Sequence, residues 1–589
     1  MIYSDWKAEA VLHEGRLRGL SLGSITQAFR SNWLFLALIV LAFALRAVWL
    51  LSYPAVIENE GGAYATIAKN ILQNRGFVSV MGVPETMYAP LYPLLIAGFC
   101  RILGDAELAG RLVSLALGTA LVAILYKIAA RLYGRATACI AAALAACHPL
   151  LIGFSVAVYT EVPYIAIMMA GGWAALRCLY SPSIWRAGLS GVCFGLAYLI
   201  RPEAIVFPFV LTLVVMLLSA LKCLGFRQAL RCSLAFIAAC WLIAIPYIIF
   251  LWLKLGKVQL DGKTLINYTI SRRVAEGMSY NHAAWGIDHN MVIEGPLLDP
   301  FRFSGWSPYK AGILRVITTM MGAAKRNYAV VLGEILPSFA LGSPVLLMLA
   351  VIGWFGQKWN LDRLLGEVML GAMAAYSSVV LLAAHTIQSR YALPLLPFLL
   401  LWAARGITLL ANWVTESVGL LPAWQMSARR RMGFATAILA GALMLGFAGV
   451  GVRYISELTQ GSRANLGTKQ AGIWLRSAAP GLKTVMDVTT VIPYYAEADL
   501  MGMPYCESEQ ALRFIHLKAP DFIVLQGANA FKRPYLASWL RNGIPDSAAR
   551  AVFRAGESTD EEIVIYRWDA GREQLRGPER RAANDTKWN

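Results

Sequence analysis

Long apolar runs recur along this chain of 589 residues, and they constrain its fold more than any other feature. The first run, 33–51, is about as long as a helix must be to cross the apolar core of a bilayer. Hydrophobic residues make up 58% of the chain and the mean hydropathy is +0.55, which excludes a large soluble protein. A net charge of +18 would suggest nucleic-acid binding in a soluble chain, whereas here basic membrane loops explain it. We therefore predict an α-helical polytopic membrane protein that binds no nucleic acid.

The charge of the loops predicts how these runs cross the bilayer, because Lys and Arg collect on the cytoplasmic side. Residues 1–32 carry Lys7, Arg16, Arg18 and Arg30 and are expected to form a cytoplasmic segment. Alternating inward and outward crossings give about 11 spans, within a range of roughly 10–13. The expected spans are 33–51, 111–128, 136–153, 163–179, 188–200, 204–221, 234–253, 337–355, 367–384, 391–410 and 434–452. The run 91–103 is too short for a span and is expected to lie in the interface.

The transmembrane domain is expected to cover 33–452, with external loops at 53–110 and 254–336. The part that follows, 453–570, alternates helical patterns with short strand-like runs, which is typical of a small α/β domain. The helical patterns are 468–477, 507–517 and 535–540, and the strand-like runs are 483–488, 521–525 and 562–566. By the charge of the loops this domain is extracytoplasmic, and the charged tail 571–589 is expected to be disordered.

The first external loop opens with two carboxylates, Glu58 and Glu60, directly after the first span. Glu60 precedes a predicted helix whose apolar face consists of Ile67, Ala68, Ile71 and Leu72. A carboxylate held at this membrane edge can accept a proton from the hydroxyl of an acceptor. The alternative is a helix cap, in which the charge favours the positive end of the helix.

Further polar side chains reach the same membrane face when the spans are folded back. Glu161 stands just before an inward span, where its alternative interpretation is a charge at the start of the next helix. Arg201 and Arg390 stand at span ends and either pair with a lipid phosphate or extend to the lipid headgroups. The other polar residues on this face are Lys69, Arg75, Glu203, His385, Gln388 and Tyr391.

The order of motifs in the first loop is distinctive. Glu60 stands four residues before Tyr64, and the chain continues with 67–72, then Arg75-Gly76-Phe77, then Pro90-Leu91-Tyr92-Pro93. This order resembles the first external loop of polytopic GT-C class glycosyltransferases, in particular glycosyltransferase family 39 and the lipid A aminoarabinose transferases. The resemblance covers roughly the first half of the chain.

The chain also departs from the family pattern at two places. Gly61 stands where many members have a second acidic residue, and Glu58 is the nearest substitute. Tyr88 stands near the place where a basic residue often precedes the family's Pro-Leu-Tyr. Glu58 therefore competes with Glu60 for the role of the catalytic carboxylate.

The resemblance implies a membrane glycosyltransferase that moves a hexose or pentose from a polyprenyl-phosphate carrier. The acceptor would be a hydroxyl of an envelope lipid, glycan or protein, at the periplasmic face of a bacterial inner membrane. Glu60 would be the catalytic base and Glu161 would orient the acceptor or the sugar. The candidates for substrate binding are Tyr64, Lys69, Arg75, Tyr88, Tyr92, Arg201, Arg390 and Tyr391.

A transporter or flippase for a lipid-linked or small anionic substrate is the alternative from another class. Such a protein should show repeated halves and ionisable groups at mid-membrane. Here the carboxylates cluster at span ends on one side, which favours the enzyme. No cofactor is certain and we predict no metal site, although two carboxylates leave a divalent cation open.

Two features of the loop 254–336 complete the sequence analysis. Its second half, 313–335, has apolar residues on one face, which predicts an interfacial helix that closes over the bound carrier. Gly256 followed by Gly262-Lys263-Thr264 resembles a phosphate loop, but the spacing is one residue too long, and we discard it.

The first prediction concerns orientation. Glu60, Glu161 and the whole C-terminal domain should lie outside the cytoplasm, because the basic loops define the opposite side. A cysteine introduced near Gly527 should react with a membrane-impermeant thiol reagent added from outside. Labelling from the cytoplasmic side alone would contradict the assigned orientation.

Overall fold

The structure is a computed structural model that describes residues 22–52, 56–304, 313–335, 344–383, 389–418, 428–556 and 558–569. The expected N-terminal segment is described only from Leu22, where the first helix begins. The expected tail 571–589 lies outside the described residues, as do His385 and Gln388.

Helices dominate the first four-fifths of the chain. The helices of the first half are Leu22–Ser52 (α1), Asn59–Leu72 (α2), Leu91–Leu103 (α3), Ala106–Tyr133 (α4), Arg135–Cys147 (α5), Pro149–Ser155 (α6), Glu161–Tyr180 (α7), Ile184–Tyr198 (α8), Phe207–Ala220 (α9) and Phe226–Leu255 (α10). They are followed by Lys263–Ala275 (α11), Tyr280–Trp285 (α12), Pro300–Ser304 (α13), Ile313–Val330 (α14), Pro344–Phe355 (α15), Leu361–Leu382 (α16), Leu396–Val418 (α17) and Ala428–Ala478 (α18). Tighter 3-10 turns at Pro202–Val206 and Ser389–Leu395 precede α9 and α17.

Within the described residues, seven helices are long and apolar enough to cross a membrane, and the bent pair α5 and α6 raises this number to eight. Shorter apolar helical segments lie at Leu91–Leu103, Val345–Phe355 and Met432–Phe447. The protein is therefore a polytopic membrane protein, as predicted, while the count of about 11 spans stays a prediction. Helix α7 is central, with 72% of its most apolar stretch buried, and α1 is peripheral, with 11% buried.

Glycines let several of these helices approach closely. A Cβ atom on Gly191 of α8 would collide with the backbone carbonyl oxygen of Phe236 in α10. A Cβ on Gly353 of α15 would collide in the same way with the carbonyl oxygen of Trp402 in α17. Small residues drive such contacts in membranes, where close van der Waals packing replaces the hydrophobic effect.

The bend of 59° between α5 and α6 is stabilised by a buried arginine from α1. Pro149 begins α6 and cannot donate a backbone hydrogen bond, so carbonyl oxygens at the end of α5 lose their helical partners. Arg46 is fully buried and donates to the carbonyl oxygens of Ala146 at 3.3 Å and Ala145 at 3.4 Å. It also donates to Ser155 Oγ at 3.1 Å. Arg46 thereby supplies the donors that the lipid core cannot supply.

The C-terminal domain contains a mixed sheet with the order β2-β1-β3-β5-β4. Its strands are Thr484–Asp487 (β1), Asp499–Gly502 (β2), Phe522–Gln526 (β3), Ala549–Ala555 (β4) and Ile563–Trp568 (β5), and its helices are Val491–Ala496 (α19), Ser508–Lys518 (α20) and Leu536–Asn542 (α21). Strands β2, β1 and β3 are parallel, whereas β5 pairs antiparallel with both β3 and β4. The predicted small α/β domain is confirmed.

The junction between the two parts differs from the expected one. Helix α18 runs without interruption over 51 residues, so the boundary expected at 453 falls inside a helix. The same rigid helix therefore belongs to the apolar bundle at one end and to the C-terminal domain at the other. The structure also identifies a suitable labelling site for the orientation test. A Cβ on Gly527 would collide with the carbonyl oxygen of Thr559, whereas Phe531 is 78% exposed.

The loop 254–336 folds over one end of the bundle. Helix α14 covers most of 313–335, and a π-helical turn at Val331–Ile335 extends it, so this segment is helical while its place at the membrane interface stays a prediction. Asn327 of α14 donates to the carbonyl oxygen of Leu382 at the end of α16, at 2.8 Å. That α14 closes over a bound carrier stays a prediction.

We predict that Arg46→Leu destabilises the protein strongly. The change leaves the two α5 carbonyl oxygens and Ser155 without their donor, at about 1–3 kcal/mol for each buried unsatisfied group. The thermal midpoint of the purified protein in detergent should fall by several degrees. Val48→Ala on the outward face of the same helix, where Val48 is 61% exposed, should change it little. Equal midpoints for Arg46→Leu and the wild type would contradict this account of the bend.

Candidate functional site

A cavity of about 500 Å³ opens where several helices end on the side of the C-terminal domain. The first loop, the start of α7, the turn before α9, the start of α11 and the end of α16 all contribute to its wall. The charged side chains that line it are Glu60, Glu161, Arg201, Glu203, Asp261 and Lys263. Such a concentration of charge at the end of an apolar bundle needs internal pairing, because unpaired buried charges are costly.

Glu60 forms an ion pair with Arg390, which lies 330 positions further along the chain. It is the second residue of α2, and its Oε1 accepts a hydrogen bond from Arg390 Nη2 at 2.7 Å. Burial alone would raise the pKa of the Glu60 carboxyl. The positive charges of Arg390 and then Lys263 outweigh burial and lower this pKa below its usual value. Glu60 is therefore ionised at neutral pH.

Glu161 occupies the first position of α7, at the positive end of the helix, and only 2% of its side chain is exposed. Its Oε1 lies 3.7 Å from Arg390 Nη1 and also 3.7 Å from Arg201 Nη1. Its Oε2 is buried and accepts no hydrogen bond from the described residues. An unsatisfied carboxylate oxygen in a cavity wall is suited to a hydroxyl group of a bound ligand.

Arg201 continues the series of ion pairs at the end of α8. Its Nε donates to Glu203 Oε1 at 2.7 Å, and its guanidinium lies 5.4 Å from the ring centre of Tyr164. Tyr376 of α16 donates to the backbone carbonyl of Glu203 at 2.7 Å. Arginine is suited to this position because its planar group pairs with carboxylates and stacks on aromatic rings at once.

The five charges alternate in sign along the cavity wall. The series is Glu60, Arg390, Glu161, Arg201 and Glu203, in which each arginine contacts two carboxylates. Two aromatic rings flank Arg390. Its guanidinium lies 5.1 Å from the ring centre of Tyr159 and 5.2 Å from that of Tyr391. An entering anion could compete with the carboxylates for both arginines.

Comparison with known proteins shows which solved structures share the fold of this chain. The family model of dolichyl-phosphate-mannose-protein mannosyltransferases matches residues 87–252, which include Glu161 and Arg201. ArnT from Cupriavidus metallidurans bound to undecaprenyl phosphate has a TM-score of 0.56 and 13% identity, covering 93% of this chain and 99% of that one. The oligosaccharyltransferase AglB from Archaeoglobus fulgidus, in complex with an inhibitory peptide and a dolichol-phosphate, also has a TM-score of 0.56. AglB is 12% identical, and the match covers 92% of this chain and 75% of AglB.

The chain has the fold of these GT-C class proteins. The resemblance inferred from the first loop is thereby confirmed at the level of the fold, together with the small C-terminal domain. Comparison with curated protein sequences gives no significant match.

The structure gathers most of the predicted site residues in this cavity. Those that line it are Glu60, Tyr64, Tyr88, Glu161, Arg201 and Tyr391, and Arg390 binds Glu60 at its edge. Tyr64 and Tyr88 pack edge to face, with ring centres 4.8 Å apart. Tyr92 does not line the cavity. Its ring packs against the ring of Tyr64, with ring centres 5.3 Å apart. Its hydroxyl group forms a hydrogen bond with Ser114 Oγ at 2.9 Å.

Three other predicted residues lie elsewhere. Glu58 immediately precedes α2, but its Oε2 accepts from the backbone N–H of Val158 at 3.0 Å and fixes the connection to α7. Lys69 lies 3.6 Å from Glu497, and Arg75 lies 3.1 Å from Asp499.

Lys69 and Arg75 therefore bind the C-terminal domain to the first loop. Tyr495 Oη donates to Glu107 Oε2 at 2.7 Å and strengthens the same interface. The sequence held no signal that these two basic residues would have partners more than 400 positions away.

Lys263 is the cavity residue that sequence reasoning discarded. It begins α11, lines the cavity and lies 5.7 Å from the ring centre of Tyr88. A cation thus reaches the place near Tyr88 where the family often has a basic residue in the first loop. The Gly262-Lys263-Thr264 motif was therefore a usable signal for this residue.

A divalent cation, which the sequence left open, would need carboxylates that Arg390 now binds. The described residues contain no group of three His, Cys, Asp or Glu side chains arranged to hold a metal ion. Glu60 and Glu161 face each other across Arg390, so a cation between them would have to displace this guanidinium.

A further carboxyl group sets the position of Tyr88. Glu85 is buried, and its Oε1 accepts from the backbone N–H groups of Met87 at 2.6 Å and Tyr88 at 2.8 Å. Burial raises the pKa of Glu85 from 4.5 to about 7, although these hydrogen bonds oppose the shift.

We predict that Glu85→Gln stabilises the protein more at pH 8 than at pH 5. Because the folded pKa is raised, stability is full below the unfolded pKa of about 4.5 and is lost as pH rises through about 7. The loss approaches ~1.4 kcal/mol for each tenfold difference between the acid dissociation constants of the folded and unfolded states. Thermal midpoints of the variant and the wild type at both pH values measure it. Glu509→Gln, at an exposed position, is the control. A difference between variant and wild type that is identical at the two pH values would disprove the buried ionisation.

Proposed function

We propose that the protein is a membrane glycosyltransferase that moves a sugar from a polyprenyl-phosphate carrier to a hydroxyl group of an acceptor. The observation that carries the proposal is the pairing of Glu60 and Glu161 with Arg390 and Arg201 in a cavity at the helix ends. The fold supports it, because ArnT and AglB were solved with undecaprenyl phosphate and with a dolichol-phosphate. Both ligands are polyprenyl-type phosphates.

The cations of the cavity would bind the phosphate of the donor. Arg201, Arg390 and Lys263 converge on this cavity from three different parts of the chain. Charge develops on the phosphate as the bond to the sugar breaks, and fixed positive groups stabilise that charge without reorganisation. The carrier chain would run along the apolar part of the wall, which includes Ile205, Val206 and Val380.

The proposed step is a single displacement at the anomeric carbon. The acceptor oxygen forms a bond to that carbon, and the bond from the carbon to the phosphate oxygen breaks. The electron pair of the broken bond leaves with the phosphate, which gives the polyprenyl phosphate product. The proton of the acceptor hydroxyl goes to Glu60, the general base, while Glu161 Oε2 accepts a hydroxyl group of the sugar or acceptor.

The pairing with Arg390 makes Glu60 responsive to the donor. In the empty site Arg390 lowers the pKa of Glu60, and a carboxylate with a low pKa is a weak base. A donor phosphate brings negative charge to Arg390 and competes with Glu60 for its N–H groups. The pKa of Glu60 then rises, so the base gains strength when the donor is in place.

The orientation that we propose follows the positive-inside pattern. The basic loops would lie in the cytoplasm, so the cavity and the C-terminal domain would face the periplasm of a bacterial inner membrane. Carrier-linked sugars presented at that face would reach the cavity from within the membrane. The transferred group is a hexose or a pentose, and the acceptor belongs to the cell envelope.

We predict that Glu60→Gln nearly abolishes transfer without loss of folded protein. Removal of a general base typically costs on the order of 10²–10⁴ in rate. The protein should stay folded, because the amide oxygen of Gln can still accept the hydrogen bond from Arg390 Nη2 and Glu161 remains beside Arg390 to balance its charge. The assay uses purified protein, polyprenyl-phosphate sugars isolated from the producing cells and envelope extract as acceptor. Released polyprenyl phosphate and glycosylated product are measured by mass spectrometry.

Glu58→Gln is the matched control, because it makes the same chemical change two residues away, outside the donor cavity. Its effect on the transfer rate should be milder. If Glu58→Gln abolishes transfer and Glu60→Gln does not, the base is Glu58. If both variants are fully active, the first loop does not carry the base. If the wild type transfers no sugar from any donor in the mixture, the proposed function is wrong.

A further inference from the structure

A second cavity, of about 310 Å³, lies between the first loop and the C-terminal domain. One wall is the segment 56–59 with Tyr159, and the opposite wall comes from the C-terminal domain. This domain contributes the residues that follow β1 and β3 and the turn that precedes β5, including Thr489, Ala528, Asn529 and Glu561. The donor cavity described above shares none of these residues with it.

The two cavities lie on either side of the segment 58–60. Tyr159 lines the second cavity, and its ring centre lies 5.1 Å from the guanidinium of Arg390, which binds Glu60. Glu58 lines the second cavity while Glu60 lines the first. Asn59 between them accepts a hydrogen bond from the backbone N–H of Thr490 at 2.7 Å, so the C-terminal domain holds this wall directly.

The position of the second cavity in the sheet is also typical of a binding site. Strands β1 and β3 are parallel neighbours, and both end at this cavity. In open α/β sheets, ligands bind in the crevice outside the carboxyl ends of parallel strands. The crevice is rigid here, because Gln526 at the end of β3 donates to Asp487 at the end of β1 at 3.0 Å. Asn529 donates in turn to Gln526 at 2.9 Å.

We propose that this second cavity binds the acceptor, and that the acceptor is a hydroxyl-rich glycan group without negative charge. The proposal rests on the proposed glycosyltransferase function. The C-terminal domain then supplies one half of the acceptor site, and the first loop presents the acceptor to the catalytic carboxylate. An acceptor hydroxyl that passes the edge of Tyr159 meets the pair of Arg390 and Glu60, where the donor phosphate would bind Arg390 and Glu60 would take the proton.

The charges around the two cavities separate the two substrates. Carboxylates and amides line the second cavity, namely Glu58, Gln526, Asn529, Asp560, Glu561 and Glu562, and its described lining residues include no Lys or Arg. The donor cavity differs because Arg201 and Lys263 line it beside its four carboxylates, and Arg390 lies at its edge. A phosphorylated acceptor would be repelled from the acidic rim, whereas hydroxyl groups donate hydrogen bonds to carboxylates. The same rim keeps the anionic donor in its own cavity.

With the acceptor in this cavity, the transfer is the same single displacement at the anomeric carbon. The acceptor oxygen bonds to the anomeric carbon of the donor, and its proton passes to Glu60. The bond to the phosphate oxygen breaks, and the polyprenyl phosphate stays in the donor cavity with the bonding electron pair. Water that enters past Tyr159 would give the hydrolysed sugar by the same step, so an occupied acceptor cavity also protects the donor.

A bulky label at the cavity rim tests the site. Glu561→Cys is treated with a large maleimide reagent, and Glu509→Cys, an exposed glutamate on α20 of the same domain, is the matched control. Two quantities are measured for each labelled protein: sugar transfer to envelope extract, and binding of undecaprenyl phosphate. The wild type treated with the same reagent accounts for the native cysteines.

We expect the labelled Glu561→Cys protein to lose at least about tenfold in transfer, or ~1.4 kcal/mol, while it still binds undecaprenyl phosphate. The labelled Glu509→Cys protein should keep both properties. Full transfer by the labelled Glu561→Cys protein would overturn the proposal. Loss of both transfer and undecaprenyl phosphate binding, with the control intact, would also overturn it, because the cavity would then serve the donor. Absence of transfer by the untreated wild type would instead refute the proposed function.

A second measurement tests the class of acceptor. Envelope extract is separated by anion exchange, and each fraction is offered to the wild-type protein with the donor. We expect the sugar on glycan-containing molecules of the unretained fraction. Transfer only to the retained, anionic fraction would overturn the assigned charge of the acceptor.

Discussion

The ion pair between Glu60 and Arg390 is the interaction on which the arrangement of the site depends. These residues lie 330 positions apart, and the pair exists only if the first loop and the turn before α17 meet at the same end of the bundle. Arg390 also reaches Glu161, which connects α7 to the same point. Buried charges are tolerated only when they are paired, so separation of any of these elements would leave a charge exposed to an apolar environment. The site therefore constrains the bundle as much as the bundle positions the site.

The start of α2 has a second organising role. Glu58 binds the backbone of Val158, Asn59 binds the backbone of Thr490, and Glu60 binds Arg390. Three consecutive side chains thus join the first loop to the connection before α7, to the C-terminal domain and to the turn before α17. The close approach to Val158 also explains why a glycine occupies position 61. A Cβ on Gly61 would lie 2.9 Å from Cβ of Val158, closer than real side chains approach. The family's usual second acid has no space at this position.

The sequence predicted well what depends on local pattern and charge. Apolar length identified a polytopic membrane protein, and period and composition identified a small α/β domain after it. The alternation of the spans predicted that Glu60, Glu161, Arg201 and Arg390 meet at one end of the bundle, while the side of the membrane on which they lie stays a prediction. Strand β2 was missed because it begins with Asp499 and ends with Gly502, two residue types that are depleted in strands. Strand β4 was missed because it has no buried residue and lies at the edge of the sheet. Partners could not be predicted for Lys69 and Arg75, since a contact between distant segments leaves no trace in either segment alone.

The difference in charge between the two cavities gives a physical reason for a separate C-terminal domain in the proposed function. A transferase must bind an anionic donor and a hydroxyl acceptor next to the same carboxylate, without allowing either to occupy the other's place. In the proposed function the bundle supplies the cations for the phosphate of a membrane carrier, through Arg201, Arg390 and Lys263. The carboxylates on that surface are already paired with Arg201 and Arg390, so they are not free to bind an acceptor. The C-terminal domain places Glu561 and Glu562 beyond Tyr159, where they would contact the acceptor.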